Sequence, residues 1–285
     1  MNDEVLVIGA TGKVGSRLVA ELERLGVPVR AATRHPTAAS KDGVRQILFD
    51  FEDPATFAPA LDGVERVFLI ARPGDENADV HSLPLIDQMK RRGVHHVVNL
   101  TAMGVDNMPA TALRKIELHL EDSGMTFTHL RPNFFMQQFS SNPLVESIRH
   151  KNAFYIPAGR AKLSYIDVRD IAAAAALSLT SSAHVNQAYT LTGERALDNY
   201  QVAEILSRAC KKSISYVDID EETARGLLAG SGFPPRWVER LMGMYQLVRQ
   251  GYCEPVSADV KNILGRPAIT FEQYAADYAD AWVTT

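Results

Sequence analysis

Three glycines spaced by three, Gly9, Gly12 and Gly15, are the first residues here whose type and spacing could do chemistry; they stand in "VLVIGATGKVGSRLV" (5–19). An apolar run enters this turn and a helical pattern leaves it. Glycines so placed allow a tight reversal, a close approach of backbone N–H groups to a pyrophosphate, and close packing of helix on sheet. The helix starting near Lys13 would aim its amide ends and positive dipole at the phosphates. A glycine turn alone is weak evidence, but this one follows a first strand, opens a helix and heads a series of strand–helix steps. That context predicts dinucleotide binding.

The second strand runs into Thr33-Arg34-His35-Pro36. Sites selective for NAD carry an acid there for the ribose 2′-hydroxyl, whereas an arginine suits a 2′-phosphate and can lie over adenine. Arg34 therefore argues for NADP(H), against the plainer reading of an exposed loop arginine. Asp50, after the third strand, fits an acceptor for the adenine amino group and fits a turn aspartate equally well.

Other candidates read more plainly. In Tyr165-Ile166-Asp167-Val168-Arg169-Asp170 we expect Asp170 to cap a helix and Asp167 to pair with Arg169. His95-His96 is expected as a surface pair. Trp237, Met242, Met244 and Tyr245 share one helix, as core or as an apolar lid. Tyr155 is a candidate pocket wall. Cys210 and Cys253 have no neighbouring Cys or His at ligand spacing, so neither a disulfide framework nor a metal site is expected.

The elements that must position these groups follow from periodicity. Val5–Ile8, Val29–Thr33, Val44–Phe49, Val64–Ala71, Val97–Leu100 and Thr126–Leu130 read as strands, with amphipathic segments between most of them. Asp53-Pro54 is a helix start. Continuous apolar strands alternating with helices predict a parallel sheet covered on both faces. After Pro132 the rhythm breaks into aromatic, irregular sequence; Leu163–Ile166, Tyr189–Thr192 and Ile214–Val217 read as short strands. An alanine-rich helix runs from Asp170 to Leu179. From Glu221 onward the pattern is helical. The expected architecture is a Rossmann-type doubly wound α/β sheet over 1–152, rejoined by 162–182, with a smaller, mostly helical C-terminal substrate lobe over 183–285.

Bulk properties bound the partners. The 285 residues are 46% hydrophobic and 22% charged, with a formal charge of −4. That balance gives no general attraction to nucleic acid or acidic membranes. No apolar stretch approaches the ~20 residues that span a bilayer, and Met-Asn-Asp-Glu leads straight into a strand. A cytoplasmic protein is expected, with a homo-oligomer allowed.

With these residues in view the chain resembles the NmrA-like family of atypical short-chain dehydrogenases/reductases, which includes NADPH-dependent quinone and triphenylmethane dye reductases and redox-sensing regulators. The resemblance spans nearly the whole chain. It is carried by "GATGKVGSRLV", "VVNLTAMG" (97–104), "LEDSGMTFTHLRPNFFMQ" (120–137), "YIDVRDIAAAAA" (165–176), "YTLTG" (189–193) and "FPPRWVERLMGMYQLVRQG" (233–251). It implies that Gly9, Thr11, Gly12, Lys13 and Val14 wrap the pyrophosphate and that Arg34 takes the 2′-phosphate. Asp50 and Phe51 would lie at the adenine, and Ala71, Arg72 and Pro73 beside the ribose. Thr101 would lie at the cofactor, at the strand end where the wider superfamily keeps a catalytic serine. Pro132, Asn133 and Phe134 would flank the nicotinamide, and Met103, Phe135, Met136 and Tyr155 would face the substrate.

One departure shapes the expected chemistry. No tyrosine is followed by a lysine four residues later, so the superfamily's Tyr-x-x-x-Lys acid is missing. Relatives that use a helix lysine instead would place it on Leu113, and Lys115 lies roughly 200° around the helix from there, facing solvent. Reducing an ordinary ketone needs a donor for the developing alkoxide. A quinone or delocalised dye spreads the arriving charge itself. The expectation is hydride transfer from NADPH to a small conjugated electron acceptor, with a non-catalytic NADP(H)-sensing regulator as the alternative.

Overall fold

A computed structural model describes residues 4–37, 43–72, 74–75, 77–141 and 143–283. Its strands are β1 (Val5–Val7), β2 (Val29–Thr33), β3 (Val44–Leu48), β4 (Arg66–Ile70), β5 (His96–Leu100), β6 (Thr126–Pro132), β7 (Ala153–Ile156), β8 (Gln187–Leu191) and β9 (Ser215–Asp218). Its helices are α1 (Lys13–Arg24), α2 (Phe57–Leu61), α3 (Ala78–Arg91), α4 (Ala112–Asp122), α5 (Leu144–Lys151), α6 (Val168–Thr180), α7 (Asn199–Cys210), α8 (Glu221–Gly230), α9 (Pro235–Arg249), α10 (Asp259–Leu264) and α11 (Phe271–Asp277).

Two compact units divide the chain. The first comprises Met1–Pro132, Val168–Leu191 and Asn262–Gly265; the second comprises Asn133–Asp167, Thr192–Lys261 and Arg266–Thr285. The rhythm of the chain predicts a first boundary near 152 and a C-terminal lobe beginning at 183. The units divide instead at Pro132 and again after Leu191. The reason is packing: β8 hydrogen-bonds to β6, while Phe139, Val145, Ile148 and Phe154 join a different core.

In the first unit the sheet order is β3-β2-β1-β4-β5-β6-β8, and every adjacent pair is parallel. Parallel strands need crossovers, and the intervening helices cover both faces. Leu6 and Ile8 pack with Phe57, Leu85, Ile86, Ile116 and Leu120 on one side. On the other, α1 meets α6. Ala172, Ala174, Ala175 and Ala176 are buried in α6, and side chains that small let two helices approach closely. Each large side chain wholly buried here, such as Phe57 or Leu69, contributes about 1.5–3 kcal/mol. Because β1 pairs with β2 on one side and β4 on the other, the strand order reverses there, and open α/β sheets bind ligands at the carboxyl ends beside such a switch.

The second unit is mostly helical, with β7 and β9 forming a two-stranded parallel sheet. Phe139, Phe154, Tyr165, Phe271, Tyr274 and Trp282 build its core, joined by edge-to-face ring contacts. Leu163–Ile166, expected as a strand, makes no ladder. Leu163 N–H donates to Leu197, Ser164 N–H to Cys253 and Ile166 N–H to Phe134, so the segment stitches three partners together. Among the described residues no helix is long and apolar enough to cross a membrane.

Candidate active site

The carboxyl edge of the first unit's sheet carries the dinucleotide turn. Gly9 has φ +74°, the left-handed region that side chains disfavour, and a Cβ there would lie 2.7 Å from Ile70 Cγ2. A Cβ on Gly15 would lie 2.1 Å from the Gly9 carbonyl oxygen, so α1 reaches the turn only because residue 15 is bare. The N-terminus of α1 has no side-chain cap and no acid in its first turn, leaving N–H groups for an anion. Gly9, Thr11, Gly12 and Lys13 are exposed, and Val14 is buried beneath them. No described residue pairs with the Lys13 ammonium or the Arg34 guanidinium. Lys13 keeps an open surface, yet surrounding protein pushes its pKa below the ordinary lysine value. An unpaired, partly desolvated cation over an uncapped helix end fits a pyrophosphate.

The neighbouring strand ends are less free. Arg72 pairs with Glu52, and Arg72 and Glu52 both keep substantial exposure. Asp50 Oδ1 accepts from Glu52 N–H at 3.0 Å, the turn role foreseen for it, which leaves its other oxygen uncommitted by that bond. Phe51 packs edge-on against Phe49 with centroids 5.1 Å apart, and Ala71 is buried. Pro73 lies outside the described residues.

Thr101, at the end of β5, heads a buried charge network that sequence reasoning missed. Its Oγ1 donates to Glu117 Oε1 at 2.8 Å. Glu117, wholly buried on α4, also receives Arg131 in a two-pronged contact at 3.0 and 2.8 Å and Arg114 at 2.8 Å. Burial alone would raise the Glu117 carboxyl, but Arg131, His129 and Thr101 together hold it below the usual carboxylate range. Burial drives His129 down to about 4, so its ring is neutral near pH 7. Glu117, Glu121 and His129 bring ligand atoms within 4.8 Å of one another, but both carboxylates are already held by arginine. The signal in the sequence is slight: Arg131 directly follows the strand read at Thr126–Leu130, and an arginine that the fold carries into the sheet needs a buried partner.

Lys115 is exposed and pairs with Asp79 at 2.9 Å. The histidine pair divides: His95 is exposed, but His96 is buried, with Nδ1 2.9 Å from Thr126 Oγ1 and Nε2 3.0 Å from the Ser178 carbonyl. The surface reading of His96 is therefore corrected; it ties the sheet to α6. Met103, partly buried, donates its N–H to the carbonyl of buried Pro132 at 2.9 Å.

In the second unit, Asn133 is buried and donates to Ser164 Oγ (2.7 Å) and the Cys253 carbonyl (2.8 Å), while its Oδ1 accepts from Phe134 N–H. Those bonds fix the backbone that carries Phe134, whose ring lies 6.3 Å from that of Tyr245 on α9. Phe135 is partly buried and bridges to Ile166. Met136 is buried in the core and borders a cavity of about 30 Å³ with Tyr165, Gly193 and Phe271; that volume admits a water molecule but no aromatic ring. Tyr155, on β7, lies under the Lys151 ammonium at 5.7 Å. Tyr165 donates to Asn199 Oδ1 at 2.9 Å and is wholly internal.

Comparison with known proteins gives a consistent answer. An NAD(P)H azoreductase from Xenophilus azovorans is 35% identical over 285 residues, covering 98% of this chain and 99% of the relative. The structure of the Citrobacter sp. triphenylmethane reductase complexed with NADP(H) superposes with a TM-score of 0.85 at 22% identity, covering 97% of this chain and 99% of that one. The NADPH complex of the Escherichia coli quinone oxidoreductase QOR2 gives 0.84 at 24% identity, with 96% and 99% covered. At those identities the two structural likenesses speak for the fold. The family model for the NmrA-like family matches residues 1–274, and the chain belongs to that family.

Proposed function

We propose that this NAD(P)H-dependent reductase uses NADPH and delivers hydride to a small, conjugated, quinone-like acceptor. One observation carries the reading: an uncapped helix end behind a glycine turn, with Lys13 and Arg34 both unpaired among the described residues. When bound there, the dinucleotide supplies a hydride at its nicotinamide ring. The α1 amides and Lys13 hold the pyrophosphate, with Thr11 and Val14 lining the turn. Arg34 holds the 2′-phosphate, and Asp50, Phe51, Ala71 and Arg72 flank adenine and ribose. Pro132, Asn133 and Phe134 bracket the nicotinamide, and Met103, Phe135 and Tyr155 serve the acceptor.

The acceptor class follows from the groups present. The chain has no Tyr-x-x-x-Lys pair, Lys115 is held by Asp79, and Thr101 gives its hydroxyl hydrogen to Glu117. A simple ketone would receive little acid assistance from these groups. The similar proteins named above are an azoreductase, a triphenylmethane reductase and a quinone oxidoreductase, whose names all point to conjugated acceptors. Such molecules disperse incoming charge, so holding the reactants face to face supplies much of the acceleration.

The test is NADPH and NADH oxidation with 1,4-naphthoquinone, an azo dye and a simple aryl ketone. We expect NADPH to be preferred and the ketone to be the poorest acceptor. Faster ketone reduction would overturn the acceptor class. NADP binding without turnover of any acceptor, joined to a change of oligomeric state, would move the protein to the regulators.

A further inference from the structure

We propose that Glu117 is a positioning residue for the cofactor: by taking the Thr101 hydroxyl hydrogen, it leaves that oxygen as an acceptor for the nicotinamide carboxamide N–H. This rests on the reading that the chain binds NADPH, and it gives a task to the buried charge network behind the end of β5. Every residue involved belongs to the first unit.

A threonine hydroxyl has one hydrogen and two lone pairs, and ordinarily it rotates to suit its neighbours. Here the rotation is locked. An ionised carboxylate can only accept, and Glu117 Oε1 lies 2.8 Å from Thr101 Oγ1. Arg131 reaches both Glu117 oxygens, at 3.0 and 2.8 Å, and Arg114 reaches the second at 2.8 Å, so this wholly buried carboxyl stays charged. Burial works against that charge, yet Arg131, His129 and Thr101 outweigh it and hold the carboxyl below its usual range. The Thr101 N–H is spent on the Leu130 carbonyl at 2.8 Å, which fixes the residue at the sheet's edge. No described residue donates to Thr101 Oγ1, and Thr101 is only half-buried. What β5 presents at its carboxyl end is therefore an oxygen with lone pairs to offer and no hydrogen to give.

Place in the sheet says which donor comes to it. The order is β3-β2-β1-β4-β5, with the glycine turn after β1 and Arg34 after β2. A dinucleotide laid along this edge with its 2′-phosphate at Arg34 extends its other half past β4 towards β5. Two strand spacings, about 10 Å, separate β5 from β1. The nicotinamide ring carries its only N–H groups on the carboxamide, and an oxygen without a hydrogen selects them over a carbonyl. Thr101 so used fixes the ring's rotation and hence the face it offers to the acceptor. The same bond removes Thr101 as an acid in the reduction, because its hydrogen is committed to a charged partner.

The test is titration calorimetry with three ligands: NADP⁺, its 3-acetylpyridine analogue, which has a methyl ketone and no N–H, and adenosine 2′,5′-bisphosphate, which has no nicotinamide. We expect Thr101→Val to bind NADP⁺ about fivefold more weakly, as for one lost neutral hydrogen bond, with the other two ligands within about twofold of the parent. Thr101→Ser should restore NADP⁺ binding. Glu117→Gln, whose amide can donate and so lets the hydroxyl turn round, should abolish the parent's preference for NADP⁺ over the analogue; should that variant not fold, the two Thr101 variants decide. Unchanged NADP⁺ binding in Thr101→Val would overturn the assignment. An equal loss with the bisphosphate would mark a structural role, and an equal loss with the analogue would put Thr101 on a ribose hydroxyl; either result also overturns it. A parent that binds none of the three ligands would bring down the NADPH reading itself, whereas a parent that binds NADP⁺ no better than Thr101→Val does would remove only this proposal.

Discussion

Replacing Arg131 with methionine keeps most of the side chain's length and removes its charge. Glu117, wholly buried, would lose its two-pronged partner, and Asp106 would lose a contact at 3.2 Å. Breaking a buried ion pair by removing one member costs about 3–5 kcal/mol, because the remaining charge is stranded in a poor dielectric. Arg114 still holds Glu117 at 2.8 Å, which puts the expected loss at the low end, about 3 kcal/mol. For a chain of this size each kcal/mol shifts Tm by roughly 2–4 °C, so Tm should fall by about 6–12 °C at pH 7. Differential scanning calorimetry measures this directly. The double variant Glu117→Gln/Arg131→Met should recover much of the loss, since the stranded charge is gone. A Tm within about 2 °C of the parent would refute the buried-pair reasoning. A double variant as unstable as Arg131→Met alone would also refute it.

Gly15→Ala places a Cβ 2.1 Å from the Gly9 carbonyl; we expect a loss of about 1–3 kcal/mol and a collapse of NADP⁺ binding by calorimetry, with a bound, stable variant counting against the close approach. Arg34→Ala should weaken NADPH by roughly 10- to 100-fold while leaving NADH unchanged, as for loss of a charge-assisted contact. His129 sets a pH window. Its folded pKa is depressed to about 4 from 6.5, so the unfolded chain binds the proton more readily between those values, and stability present above pH 6.5 is lost as pH falls towards 4. Melts at pH 7 and pH 5 should therefore differ more for the parent than for His129→Gln.

What could be read along the chain was what depends on near neighbours. Continuous apolar strands and the glycine turn announce themselves because side-chain period and backbone sterics act within a few residues. The strand β7 escaped because its partner β9 is some sixty residues away, as in the pairing of Phe154 with Tyr216. Leu163–Ile166 looked like a strand because its composition suits one, but a ladder needs a single partner and this segment has three. Nothing local to α4 marks Glu117 for burial; it is the fold that sets Arg131 and Arg114 on its carboxylate.

The sequence by itself determined a parallel sheet headed by a glycine-rich turn, since both are consequences of local sterics and of the spacing of apolar residues. Only the tertiary structure decided which charges are consumed and which remain available. Arg131, Lys115 and Arg72 have carboxylate partners, whereas no described residue pairs with Lys13 or Arg34. Ion pairing acts through space between residues distant in sequence, so no local pattern could have sorted those cations into structural and ligand-ready sets.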